Sequence, residues 1–390
     1  MEPNATLAAA VPRRIHAVET ETTGISLAPH PFTMRAPCWP LSEKTARSVV
    51  LLACLTLAGA VAVADAQWTA KARQDALARA IVWQPPAVPP SAADLSRPPD
   101  QLPDEITCRF KMTPLHGTVR KFTCALPSGE LVRVKYAGPE PHGEVAASRL
   151  LLALGFGADH VGFVRRVRCL GCPWSPFATA AAVSLARAGG LYEKVARSNE
   201  AVDFDWVSVE RRFEGEKIRT DSIEGWAFDE FARVKTASAT HADALRLLAV
   251  FLAHWDNKAE NQRLVCLSGP PGPDGLCKRP MAMLQDVGAT FGPRKVNLGN
   301  WRTAVIWTDR ARCEIGMPDM PHDGATFVPV RVSDAGRRFL GDRLRAFSSD
   351  QIAGLFRGAR FEPRYGTVSD WVQVFEARVA QIADGPPCPQ

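Results

Sequence analysis

A chain of 390 residues with 46% hydrophobic side chains is long enough for one large or two modest globular domains, and its composition is ordinary for such a protein. The net charge is +6 without any long Lys/Arg run, so it points to phosphate or acidic ligands before nucleic acid. A merely basic, soluble surface explains the charge equally well.

Residues 49–64 form one strongly apolar run. Sixteen residues are too few for a membrane span, which needs roughly 20. Lys44 and Arg47 precede the run and Ala64-Asp65-Ala66 follows it, which predicts a signal peptide over 1–66. Its position suits a start at Met34, which would place Arg35 in the basic region. An uncleaved anchor is the alternative, and the only expected membrane attachment. Cleavage after Ala66 removes Cys38 and Cys54 and leaves eight cysteines, an even number that fits an oxidising compartment. The expected location is periplasmic or secreted.

Residues 67–105 read as a short helix followed by a proline-dense tether in which no packed core forms, with order beginning near Ile106. Alternation then predicts strands over 106–112, 118–126 and 131–136, joined by a Gly117 turn and a Pro127-Ser128-Gly129 turn. Cys108 and Cys124 are symmetric about His116, so a hairpin centred there sets them opposite each other and allows a disulfide. A helix over 144–154 is stopped by Gly155. Further strands are expected over 161–168 and 206–213, then an amphipathic helix over 240–255 with Leu245, Leu248, Leu252 and Trp255 on one face. A short buried strand over 281–285 and helices over 334–347, 350–356 and 369–382 complete the chain. Strands come first and helices later, with a crossover near residue 215. The expected class is α+β, a β-rich part over 106–215 and an α-rich part over 216–390.

At the end of the long helix stands His254-Trp255-Asp256-Asn257-Lys258-Ala259-Glu260-Asn261. Asp256 and Asn261 have the five-residue spacing of kinase catalytic loops, where an aspartate orients the attacking hydroxyl and an asparagine holds a metal. Asp286-Val287-Gly288 follows 25 residues after Asn261, and a carboxylate at a strand end can meet a divalent cation while glycine turns the backbone away. Upstream, Lys135 ends a strand and Glu144 opens the next helix, a pairing that suits phosphate binding by an oriented ammonium. Each piece is a weak signal. Their order along one chain carries the reading.

The sequence resembles the atypical branch of the protein-kinase-like superfamily. Asp256-x-Lys258-x-x-Asn261 is similar to the D-x-H-x-x-N loop of bacterial HipA toxin kinases and phosphatidylinositol kinases, with Lys258 in place of histidine. Asp286-Val-Gly-Ala-Thr-Phe-Gly292 looks like their D-x-G-x-x-(F/L)-G, and the step from Lys135 to Gly143-Glu144-Val145 resembles the secreted Golgi casein kinases. The resemblance covers roughly 106–300 and implies a two-lobed fold using ATP with Mg²⁺ or Mn²⁺. It implies Lys135 on phosphates, Glu144 pairing it, Asp256 as base or orienter, and Asn261 with Asp286 on the metal. Gly117, Thr118 and Lys258 are the further nucleotide contacts expected. No G-x-G-x-x-G precedes Lys135.

Cys266 and Cys277 bracket a Gly/Pro-rich loop and are expected to be bridged. Cys169-Leu170-Gly171-Cys172 has no second C-x-x-C to complete a zinc ribbon, so structural disulfides drawing on Cys313 or Cys388 are favoured. His254 reads as a packing residue, and Trp226, Trp255, Trp301, Trp307 and Trp371 as core. Together these features predict an exported kinase acting on a hydroxyl of an unknown protein, lipid or sugar. The alternative is a weakly catalytic pseudokinase used as a binding or scaffold domain.

Overall fold

The structure, a computed structural model, describes residues 68–97, 102–113, 115, 117–186, 200–234, 238–272, 274–292, 295–318 and 323–389. The expected leader, with Met34, Cys38 and Cys54, lies outside them. Helices and sheets alternate in an α+β arrangement. Strands β1 (Glu105–Lys111), β2 (Lys121–Ala125), β3 (Leu131–Lys135), β4 (His160–Leu170) and β5 (Ala201–Arg211) close into a barrel in the order β1-β2-β3-β5-β4. Its pairs are antiparallel except β1 with β4. Val132, Val134, Val164, Val167, Val207 and Val209 fill it, as alternation requires of strands with a buried face.

Between β3 and β4 runs α2 (Glu140–Leu154), numbered after α1 (Ala70–Ala78). Pro139 precedes its first turn, Glu140 faces the positive end of its dipole, and Gly155 ends it at φ +90°, a conformation glycine adopts without strain. After α3 (Pro176–Ala186), β6 (Glu216–Lys217) and α4 (Phe228–Arg233) comes α5 (Ala239–Leu252), capped by the Ser238 side chain and buried continuously from Ala242 to Leu252. Strands β7 (Gln262–Cys266) and β8 (Pro280–Leu284) pair next to β6. Beyond them lie α6 (Leu298–Thr303), the small sheet of β9 (Trp307–Asp309), β10 (Glu314–Ile315) and β11 (Val330–Arg331), then α7 (Asp334–Arg345), α8 (Ser349–Gly358) and α9 (Val368–Ala383). Trp226, Trp301 and Trp371 are fully buried in the helical core, which accounts for them without a carbohydrate ligand.

The proline-dense segment differs from its expectation. Trp68, Leu77, Val82 and Leu95 are all buried, and ordered structure starts well before Ile106. Arg73 makes two hydrogen bonds to Glu230, Gln84 N donates to Gly155 O at 2.9 Å, and Arg149 and Gln351 donate to the Ser96, Pro90 and Ala93 carbonyls. Prolines keep this strap extended, and neighbouring elements supply the backbone partners it cannot supply itself.

The cysteine pairs are Cys108–Cys124, Cys169–Cys172, Cys266–Cys277 and Cys313–Cys388. Cys169 and Cys172 therefore bond each other rather than reaching for Cys313 or Cys388. The first pair is diagonal, not directly opposite: Phe110 faces Cys124, so the hairpin centres one residue later than its sequence symmetry suggests. Among the described residues no helix is long and apolar enough to cross a membrane.

Candidate active site

Val132 and Val134 point into the barrel, and the last residue of β3 leaves it toward α2. There the Lys135 ammonium lies 2.5 Å from Glu144 Oε1, 3.0 Å from Asp286 Oδ1 and 3.3 Å from Glu210 Oε2. The ammonium donates hydrogen bonds to Glu144 and Asp286, and Glu210 adds a third carboxylate at ion-pair distance. Lys135 and Glu144 are each 2% exposed. Burial works against the Lys135 charge, but Asp286, Glu144 and Glu210 outweigh it and raise its pKa well above the ordinary value. Lys135 in turn holds Asp286 well below the usual carboxylate range. Glu210 is also lowered, because Lys135 and Arg133 overcome its burial. Glu144 gives way instead: burial pushes it up to about 8 against the pull of Lys135.

Helix α5 ends at Ala253, whose φ of +53° turns the chain into the Asp256 loop. Asn261 sits in a 3-10 turn and donates through Nδ2 to Asp256 O at 2.6 Å. Lys258 Nζ is 3.2 Å from Asp256 Oδ1. Asn257 braces the loop from behind, accepting from Thr326 N and Phe327 N at 2.8 and 2.9 Å. The Asp286 loop is stitched to it: Gln285 N donates to Asn261 O at 2.9 Å, Trp255 N to Ala289 O at 3.0 Å and Phe291 N to Leu252 O at 2.7 Å. Asp286 and Phe291 have φ of +49° and +57°, so three non-glycine residues in these two loops hold a conformation L-residues rarely adopt. Such geometry persists only where surrounding contacts over-determine it. His254 is wholly buried, and burial lowers its pKa to about 4, so the ring is neutral at physiological pH.

Helix α2 is pressed onto the Asp286 loop. A Cβ on Gly143 would lie 2.6 Å from Gly288 O, and one on Gly288 would lie 3.0 Å from Glu140 Cβ. Glu140, one turn before Glu144, is pushed up by burial and by Asp286, with Asp256 adding to the push and Lys135 and Lys121 opposing. One carboxyl therefore senses residues from both loops and from β2 and β3. A cavity of about 350 Å³ opens beside it, lined by Thr118, Val119, Arg120, Ala137, Gly138, Pro139 and Glu140.

The oxygen donors suit a small divalent cation. Asp286 is a carboxylate kept ionised by Lys135, with its side chain 37% exposed. The Asn261 amide spends its N–H on Asp256 O, which leaves the amide oxygen as its ligating atom. The described residues contain no cluster of three or more His, Cys, Asp or Glu arranged around a metal. Mg²⁺ is commonly held by one or two carboxylates plus substrate phosphates, so this sparse set fits a metal that arrives with a nucleotide.

Of the residues singled out from sequence, Lys135, Glu144 and Asp286 meet directly, and Asp256, Lys258 and Asn261 form one hydrogen-bonded loop. Of the other expected nucleotide contacts, Thr118 lines the cavity, and Gly117 lies near the ammonium of Lys121. Glu210 and Glu140 escaped the sequence reading, which met Lys121 only as a neighbour of the Gly117 turn. The turn at Ser128 carried a signal for Lys121, because a hairpin centred there sets it opposite Lys135, as the register confirms. Glu140 precedes Glu144 by four residues, which puts both on one helix face. Glu210 had no such local sign.

No family model matches the chain, and no curated protein sequence matches it. Among solved structures it is similar to the Helicobacter pylori proinflammatory kinase CtkA, at 9% identity and a TM-score of 0.40, over 70% of this chain and 92% of that one. It is also similar to the Golgi casein kinase with Mn/ADP bound, at 11% identity and a TM-score of 0.32, over 71% of each chain.

Proposed function

We propose that the chain is an exported atypical kinase that transfers the γ-phosphoryl group of ATP to a hydroxyl of a protein, lipid or sugar acceptor. Residues 106–215 would form its N-lobe and 216–390 its C-lobe. One observation carries the reading: a buried strand lysine bound to a helix glutamate and to the aspartate of an Asp-x-Gly turn, with that turn stitched to an Asp/Asn loop. This combination suits phosphoryl transfer, whose transition state spreads negative charge over phosphoryl oxygens and asks the protein for positioning and charge stabilisation.

Lys135 would hold phosphate oxygens, with Glu144 fixing its direction, and Lys258 would add a second positive charge near the γ-phosphate. Asn261 and Asp286 would hold Mg²⁺ or Mn²⁺, which neutralises phosphate charge when bound. The acceptor oxygen forms its bond to the γ-phosphorus as the bond to the β–γ bridging oxygen breaks, ADP leaves, and the hydroxyl proton passes to the Asp256 carboxylate. Disulfides in four pairs support export, since such bonds persist in oxidising compartments.

A second reading, a pseudokinase serving as a binding domain, is favoured by the crowding of Lys135, whose ammonium has three carboxylates within ion-pair distance. Nucleotide titration with and without Mg²⁺, followed by turnover assays on variants, separates the two. Asp286→Ala is expected to abolish metal-dependent ATP binding. Asp256→Ala is expected to bind ATP normally and lose turnover by about 10²-fold or more. Lys135→Met should weaken both. If the Asp286 and Asp256 variants bind and turn over like the parent, these assignments are wrong; if the parent binds no nucleotide, the pseudokinase reading replaces them.

A further inference from the structure

Lys135 is well supplied with counter-charge, and the lysine beside it is not. Lys121 opens β2 and pairs directly across the sheet with Lys135. It is only 5% exposed, its ammonium is 3.6 Å from the position of a Cβ on Gly117, and it forms neither an ion pair nor a side-chain hydrogen bond among the described residues. A lysine whose stem is buried and whose ammonium meets no carboxylate at ion-pair distance keeps its charge open to an anionic ligand. Burial depresses its pKa, with Asp286 opposing. Arg120 and Thr118, its neighbours on the hairpin, line the cavity that ends at Glu140.

We propose that Lys121 is a second phosphate-binding cation of this site, receiving the nucleotide polyphosphate from the β1–β2 hairpin beside Lys135. This inference rests on the kinase reading and deepens it. The hairpin lacks a glycine-rich phosphate loop, and a lysine rising from β2 would do the work that backbone amides do in such a loop. Glu144 and Asp286 already accept hydrogen bonds from Lys135, whereas no carboxylate is bonded to Lys121 among the described residues.

The test uses the purified protein with ATP plus Mg²⁺, and adenosine as a probe lacking phosphates. Lys121→Met is expected to melt at the same or a higher temperature than the parent without ligand, because it removes a cation that faces Lys135 across the sheet and has no carboxylate partner. It should weaken ATP binding by about ten- to hundredfold, the equivalent of one or more charge-assisted hydrogen bonds, and leave adenosine binding unchanged. Lys121→Arg should keep most of the ATP affinity. A parent that binds ATP together with a Lys121→Met variant that binds it equally well would overturn the proposal and leave the kinase reading standing. A variant that melts lower and loses ATP and adenosine alike would mark Lys121 as structural, which also overturns it. A parent that binds no ATP fails the kinase reading itself and removes this proposal with it.

Discussion

Around Lys135 the electrostatics settle where one proton resides. Three carboxylates face one ammonium, Asp286 and Glu210 are lowered, and Glu144 rises to about 8 from an ordinary 4.5. A carboxyl raised in the folded state stabilises the fold fully below its unfolded value, and that contribution is lost as pH climbs through the folded value. Stability is therefore expected to decline from about pH 4.5 to about pH 8 through Glu144. Glu144→Gln, the neutral isostere, should remove that slope and melt above the parent at alkaline pH. Melting curves across this range check the idea, and parallel pH profiles for the two proteins would refute it. At the same scale, Asp256 and Asp286 have different partners: the first is tied to Lys258 and the second to Lys135. Their variants should consequently separate turnover from binding.

Among the elements, α2 and the Asp286 loop act as one part. Gly143 in a helix interior costs about 1 kcal/mol relative to alanine by propensity alone, so Gly143→Ala on a free helix would stabilise. Here the new methyl would meet Gly288 O at 2.6 Å, a distance real Cβ atoms avoid. Overpacking of this kind typically costs about 1–3 kcal/mol and moves the backbone. Gly143→Ala is expected to lower stability by that amount and to reduce nucleotide binding, because displacing α2 carries Glu144 away from Lys135. Calorimetric unfolding with parallel ATP titration measures both. A more stable variant with normal binding would show that the contact is slack.

For the whole molecule, covalent closure and the N-terminal strap set stability. Cys313–Cys388 spans 75 residues and Cys266–Cys277 spans 11. By chain entropy the long closure contributes about 4–5 kcal/mol and the short one about 3 kcal/mol. Cys388→Ser is accordingly expected to lower the melting temperature more than Cys277→Ser does. The short loop lies between Asn261 and Asp286, so its loss should weigh more on metal-dependent binding than on melting. Equal melting losses in both variants would contradict the ordering.

The sequence by itself determined the α+β class, most strands and helices, the disulfides Cys108–Cys124 and Cys266–Cys277, and the order in which Lys135, Glu144, Asp256, Asn261 and Asp286 follow one another. These are short-range properties: alternation along a strand, periodicity along a helix, and spacing within one loop. Only the tertiary structure decided that Glu210 joins Lys135, since β3 and β5 become neighbours only when the barrel closes. It likewise decided that the proline-dense strap packs, because its backbone partners, Gly155, Arg149 and Gln351, come from elements distant in the chain. A segment with no periodicity of its own gives no local sign of burial. Its order is imposed by the surfaces it crosses.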